Sequence, residues 1–276
     1  MRYDGELQIA LHSQRLTIAY SETLGDPQKT PILYLPGWGC TKEDIHNAPI
    51  DPNLADRRIV AFDYPGYGGS SSPSPYPFKF NHWSYFTLAS IMYQRLKLGR
   101  TAVVGHSAGG ADAIYFASNM PSENTAGLVS VMGNMQPSDC FLTSQIADMS
   151  DNQLVSSGFS SYVLRLAASK NPGMQQYASR ISRFDKNSML TYRNHARSII
   201  TQCQTSKLLA HFLAFSGPKL FIHGEAEQAD CLDQLRANDV PIATIGNADH
   251  FPFVDNPAEY YKALGDFMVR LDEARA

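Results

Sequence analysis

The chain has 276 residues, of which 43% are hydrophobic and 18% charged, with a formal net charge of −3 and a pI near 6.2. That length can bury one large core, and the mildly acidic balance offers no basic face to nucleic acid or an anionic membrane. No apolar run approaches the about 20 residues of a membrane helix, and Asp4, Glu6 and Gln8 interrupt the stretch where a signal peptide needs its apolar core. Four scattered cysteines (Cys40, Cys140, Cys203 and Cys231) form no CxxC and no metal-ligand spacing. They read as buried, reduced thiols of a cytoplasmic protein, with no metal or cofactor expected.

In chain order, "ELQIALH" and "RLTIAYSE" alternate with period two and predict an N-terminal hairpin. Six short apolar runs follow as buried strands: Pro31–Gly37, Arg57–Asp63, Thr101–Gly105, Gly127–Gly133, Lys219–Gly224 and Ile242–Gly246. Each stops at glycine or a polar turn. Helical patterns lie between them at Trp83–Leu98, Ala108–Asn119, Asp230–Ala237 and Pro257–Ala274. Buried strands alternating with helices predict an α/β fold with a mostly parallel sheet covered on both faces. No internal repeat is visible, and "GGSSSPSPYP" (Gly68–Pro77) is too short for a linker. From about Pro137 to Ser216 the alternation stops, and only helical segments occur. The expected division is a core of 1–134 and 217–276, with 135–216 inserted as a helical cap over the sheet edge where ligands of open α/β sheets bind.

Gly105-His106-Ser107-Ala108-Gly109 fits G-x-S-x-G between a strand and a helix. Such a serine sits on a tight turn with its hydroxyl exposed at the sheet edge, and flanking glycines remove Cβ clashes there. The pattern alone occurs by chance in about one chain in ten of this length; the strand before it and the helix after it set this instance apart. A hydroxyl nucleophile needs a base. His250, in "GNADHFPFVDNP", follows the last strand in a loop and projects from the same edge. His106 is expected to point away on the turn; His12, His82, His195 and His211 fall in the hairpin or helices, while His46 and His223 near strand ends stay open.

"LYLPGWG", "DYPGYGGS", "VVGHSAGG" and "ADHFPFVDNP", in this order, resemble the α/β-hydrolase fold superfamily across nearly the whole chain. The resemblance implies the order nucleophile–acid–histidine, with Ser107 first and His250 last. It also implies an oxyanion hole from the backbone N–H groups of Trp38 and Ala108. Pro36-Gly37 stands where the family usually has His-Gly, and Asp63 is expected to shape a turn. For the acid the family's usual position falls on Glu227, a glutamate in place of the usual aspartate; Asp230 and Asp139 remain alternatives. Asp249 is too close to its neighbour's ring to fold back onto it.

The helical cap carries Phe141, Met149, Phe159, Tyr162, Met174, Tyr177, Phe184, Met189 and Tyr192, mostly core with a few pocket residues. Arg165, Arg180, Arg183 and Arg193 are spaced as solvated helix faces. What the resemblance implies is a serine hydrolase of a small to medium-sized ester, lactone, thioester or amide, working through an acyl-enzyme. The partner is a small molecule rather than nucleic acid or membrane, and the chain is a monomer or homodimer. Three alternatives accompany it: a cofactor-independent dioxygenase using the histidine as base on a heteroaromatic substrate, a C–C bond hydrolase, or a ligand receptor on a hydrolase scaffold.

Overall fold

Two ten-residue strands, β1 (Arg2–Leu11) and β2 (Gln14–Thr23), pair antiparallel from Arg2↔Thr23 to Leu11↔Gln14 in a computed structural model that describes residues 2–12, 14–73, 81–227 and 229–274. Only as far as Pro73 does the Gly68–Pro77 stretch fall within the described residues. Beyond the hairpin come β3 (Ile32–Leu35), β4 (Ile59–Phe62), β5 (Thr101–His106), β6 (Thr125–Val131), β7 (Lys219–Gly224) and β8 (Ile242–Ile245). All eight join one sheet in the order β1-β2-β4-β3-β5-β6-β7-β8. β2 meets β4 antiparallel, and every later pair is parallel.

Every residue of β3, β4, β5 and β6 is buried. This is the physical reason for their unbroken apolar runs: helices cover both faces, so no residue needs to be polar. One cover is α1 (His82–Arg95) with α2 (Ala108–Asn119). Another is α11 (Pro257–Glu273), whose Tyr260, Tyr261, Leu264, Phe267, Met268 and Leu271 recur at helical spacing and are buried. Its start is fixed by Pro257 in the first turn and by Asn256, whose side chain accepts from the Glu259 N–H. At Gly127 an added Cβ would fall 2.8 Å from Leu271, so the missing side chain lets this helix lie close on β6.

Between β6 and β7 the chain is helical: α3 (Phe141–Ala147), α4 (Asp151–Gln153), α5 (Phe159–Ala167), α6 (Pro172–Ile181), α7 (Lys186–Thr205) and α8 (Leu208–Ala214). The remaining helices are α9 (Leu232–Ala237), two residues shorter at its start than its sequence pattern, and α10 (Pro252–Asp255). β6 also starts earlier than expected, at Thr125, because the parallel ladder with Thr101 extends it past the last apolar residue. Two of the four arginines singled out in this helical segment differ from expectation. Arg180 pairs with the buried Asp44 at 2.6 Å, and Arg193, itself buried, pairs with Asp151 at 2.6 Å. A helix face that packs against a neighbouring element carries the same spacing as one facing water. Among the described residues no helix is long and apolar enough to cross a membrane.

Candidate active site

The C-terminal ends of β3, β5, β6, β7 and β8 share one sheet edge, and each hands the chain to a loop there. Ser107, after β5, has φ 54° and ψ −120°, a conformation disfavoured for any residue with a Cβ. The turn depends on its glycines. An added Cβ at Gly105 would lie 2.0 Å from the Gly109 carbonyl oxygen, and one at Gly109 would lie 2.1 Å from that of Leu35. Strand, turn and α2 are thereby pressed together, and the Ser107 side chain is lifted out of the sheet. Ala108 is the first residue of α2, so its N–H has no carbonyl one turn back and lies at the positive end of the helix. Gly37 packs against the turn as well: an added Cβ there would sit 3.2 Å from Ser107 Cβ, which brings the Gly37–Trp38 peptide beside the serine.

His250 Nε2 lies 3.0 Å from Ser107 Oγ, and its Nδ1 lies 2.9 and 3.1 Å from the two carboxylate oxygens of Glu227. In the neutral ring, Nδ1–H donates to Glu227 and leaves the Nε2 lone pair to accept from the serine. Burial pushes the His250 pKa down, but the charge and hydrogen bond of Glu227, joined by Asp249 and Asp255, outweigh it and leave the pKa raised. Of the three carboxylates that sequence left open, Glu227 is the one hydrogen-bonded to the ring. Asp139 Oδ2 accepts the N–H groups of Met135 (2.7 Å) and Gln136 (2.9 Å), closing a short 3-10 turn over Pro137–Cys140. Asp230 is exposed in the adjoining cleft.

Two further residues touch the serine and histidine. Asn134 Oδ1 lies 3.3 Å from Ser107 Oγ, its orientation set by Asn134 Nδ2 donating to the Asp139 carbonyl at 2.7 Å. His106 does point away from the serine hydroxyl, but it is not idle. Its Nε2 meets the backbone carbonyl of His250 at 2.8 Å, and complete burial drives its pKa well below the usual value, keeping the ring neutral. A donor at Nε2 is therefore the tautomer that satisfies this contact. Neither residue carried a sequence signal beyond its nearness to a strand end. His46 and His223 bond to local backbone, at the Glu43 and Gly224 carbonyls. Asp63 accepts from the N–H groups of Lys42 (2.7 Å) and Gly69 (2.9 Å), as a turn-shaping residue should.

One helix ties the two loops together. From α6, Tyr177 Oη donates to the Trp38 carbonyl at 2.9 Å and also meets the Tyr192 hydroxyl. Trp38 in turn stacks on the Tyr192 ring at 3.7 Å and donates its indole N–H to the Tyr192 carbonyl at 2.8 Å. At the other end of α6, Gly173 N–H (2.8 Å) and Asn171 Nδ2 (3.0 Å) donate to Asp255, which also accepts the Asp249 N–H beside His250 (3.1 Å). The cleft above Ser107, lined by Trp38, Asn134, Phe141, Leu142, Tyr177, His250 and Phe251, is tight in this structure, with an internal volume of about 20 Å³. Its one carboxylate, Asp139, is already occupied by backbone N–H groups.

A serine on a strained strand-to-helix turn, a histidine after the last strand and a mostly parallel sheet with a helical excursion after β6 together define the α/β-hydrolase architecture. The chain belongs to the alpha/beta hydrolase family, whose model matches residues 32–263. A poly(3-hydroxyalkanoate) depolymerase of Ectopseudomonas oleovorans is 37% identical over 99 residues, 35% of this chain and 33% of the relative. The matches span only about a third of the length of such curated relatives. Among solved structures, a carboxylesterase of the thaumarchaeon Nitrososphaera gargenis superposes with TM-score 0.77 at 15% identity, covering 98% of this chain and all of that one. AqdC, solved for its recognition and ring-cleavage of the Pseudomonas quinolone signal, gives TM-score 0.74 at 16% identity, covering 96% of this chain and 100% of that one. At such identities these two likenesses concern the fold.

Proposed function

We propose that this protein is a serine hydrolase that cleaves a small to medium-sized, uncharged ester, lactone, thioester or amide through an acyl-enzyme. The observation that carries the reading is the unbroken chain Ser107 Oγ–His250 Nε2 (3.0 Å) and His250 Nδ1–Glu227 (2.9 Å) on a turn with φ 54°. Ser107 Oγ attacks the substrate carbonyl as its proton passes to His250 Nε2, and Glu227 stabilises the imidazolium. The N–H groups of Trp38 and Ala108 receive the developing oxyanion. His250 protonates the leaving group, then takes a proton from the water that attacks the acyl-enzyme, and Ser107 is released. The helical segment 135–216 serves as the cap: Phe141, Leu142 and Tyr177 supply apolar walls, and the absence of a free cation among the cleft's lining residues favours an uncharged acyl group. The four cysteines are buried free thiols, in keeping with a cytoplasmic protein.

Covalent labelling by a fluorophosphonate probe, abolished in Ser107→Ala, is the expected result. The aromatic walls Trp38, Phe141, Tyr177 and Phe251 favour one second reading, a cofactor-independent dioxygenase acting on a flat heteroaromatic, with His250 as base. In that case the wild type stays unlabelled and consumes oxygen with such a substrate.

A further inference from the structure

Beside Gly37 and the Ser107 turn, three side chains from separate parts of the chain converge. Cys40 follows the Trp38 turn, Asp44 lies on a short 3-10 turn (Lys42–Ile45), and His106 ends β5. Cys40 Sγ, an Asp44 carboxylate oxygen and a His106 ring nitrogen lie within 4.8 Å of one another, and the residues are 1%, 6% and 0% exposed. Tetrahedral bonds of about 2.0–2.3 Å hold ligand atoms about 3.3–3.8 Å apart, so these three need only small side-chain movements to close on one ion.

Two of these groups bring polar atoms with no hydrogen-bond partner, Asp44 Oδ2 and His106 Nδ1. With His106 neutral and donating through Nε2, its Nδ1 is an acceptor, and the one proton donor directed among the three groups is the Cys40 thiol, which reaches the Asp44 carboxylate. A cation between them would take the place of that thiol proton and satisfy the His106 Nδ1 lone pair as well. Gly37 keeps the approach to Nδ1 clear, since an added Cβ there would stand 2.8 Å from it.

Two of the groups also have the outer partner expected of a metal ligand, and the Cys40 backbone is fixed by the turn it closes. His106 is oriented through Nε2 by the His250 carbonyl at 2.8 Å, Asp44 Oδ1 is held by Arg180 at 2.6 Å, and the Cys40 N–H donates to the Gly37 carbonyl at 3.0 Å.

We propose that Cys40, Asp44 and His106 bind a single divalent cation of the zinc type. A thiolate, an imidazole and a carboxylate together suit zinc rather than magnesium or calcium. Binding displaces the Cys40 thiol proton to solvent, so thiolate and carboxylate balance the charge of the ion, and Arg180 remains outside as the partner of Asp44. Cys40 and His106 are among the residues that line the cleft, the side from which an ion and a fourth, solvent ligand would reach them. The ion would join the loop bearing Trp38 to the strand end bearing Ser107. This site stands apart from the hydrolase reading, because its readouts need no substrate.

The test uses the full chain, expressed with zinc and separately refolded with Co²⁺. The expected results are close to one zinc per chain by elemental analysis, and a thiolate-to-cobalt charge-transfer band that Cys40→Ser abolishes and Cys231→Ser keeps. Zn²⁺ should raise the wild-type Tm and leave that of Cys40→Ser unmoved, with Cys40→Ala as a second variant should the serine disturb folding. Wild-type protein that holds no zinc, and shows neither the band nor a Tm rise after refolding with either ion, overturns the proposal. So does a band that survives loss of the Cys40 sulfur, since ligation would then lie elsewhere.

Discussion

Replacing Glu227 by glutamine separates the charge of this group from its shape. Both of its oxygens reach His250 Nδ1, at 2.9 and 3.1 Å, so an amide can still present its carbonyl to the ring N–H. Asp249 favours that orientation: its own pKa is raised by burial and then by the neighbouring Glu227 carboxylate, with which it hydrogen-bonds. An amide NH2 would turn toward Asp249 and leave oxygen facing the histidine. What glutamine cannot supply is the negative charge that stabilises the imidazolium. For opposite charges about 3 Å apart at an effective dielectric of about 20, that attraction is of order 4–6 kcal/mol. At about 1.4 kcal/mol per tenfold in rate, Glu227→Gln should lower kcat roughly a thousandfold or more, with little change in KM. Glu227→Asp withdraws the carboxylate by one methylene and should fall between the two. The assay is hydrolysis of a p-nitrophenyl ester, paired with the fluorophosphonate labelling rate, which needs no natural substrate. Asp139→Asn and Asp230→Asn are measured alongside and should stay within a few-fold of wild type. If Glu227→Gln keeps activity within tenfold while one of these loses a thousandfold, the acid has been misassigned.

Tyr177→Phe deletes the hydroxyl that holds the Trp38 carbonyl and leaves that buried oxygen unpaired, a cost of about 1–3 kcal/mol. It should lower kcat about tenfold with KM nearly constant, because the loop carrying an oxyanion donor loosens; a lowered Tm with unchanged kcat would make Tyr177 a packing residue only. Asp112, on α2, is raised to a pKa of about 7, mainly by burial, against hydrogen bonds from Tyr64 and Gln202 that lower it; Tyr85 and Cys203 also face it, and none of these four neighbours is basic. Its folded pKa lies above the ordinary 3.8, so the folded state holds a proton the unfolded chain releases, and stability is lost as pH rises from about 4 toward 7. Denaturant titrations at pH 5 and pH 8 should show a loss of up to about 2.7 kcal/mol, from the roughly two pH units between pH 5 and the folded pKa, that Asp112→Asn largely removes; an equal pH dependence in both proteins would refute this.

The sheet was legible because its central strands are buried on both faces and read as short apolar runs. Ser107 and His250 stood out for a related reason: glycine spacing and position after a strand are local properties, and the fold sets the loops side by side. Glu227 was harder to separate from Asp139 and Asp230, because reaching the ring depends on how the turn after Gly224 bends. That bend is fixed by the Ala226 N–H donating to the Ala248 carbonyl at 3.0 Å, a contact between two loops distant in sequence. Arg180 and Asp44 were illegible for the same reason. Each belongs to an ordinary helical or turn pattern, and only packing reveals that the two are paired and buried. His106 shows a different failure, since aiming away from the serine aims it at the backbone that carries the base.

The placement of α6 bears on how specificity and rate can vary in this protein. Its first turn holds Asp255 and so the loop of His250; its last turns hold Trp38 through Tyr177 and the 3-10 turn of Asp44 through Arg180. The same Tyr177 also walls the cleft. A helix that served only as a lid could be exchanged for one of different shape with KM changing alone. Under the proposed mechanism, the contacts that line the cleft are continuous with those that set the distances between His250, Ser107 and the Trp38 N–H, and misplacement by about 1 Å can cost a hundredfold in rate. Substitutions on the inward face of α6 should therefore move kcat and substrate preference together, whereas an exposed position such as Leu164 on α5 should move neither. A graded series at Leu142, which touches the cleft but neither loop anchor, gives the contrast: its variants should alter KM between acyl chain lengths while kcat for the shortest ester holds steady.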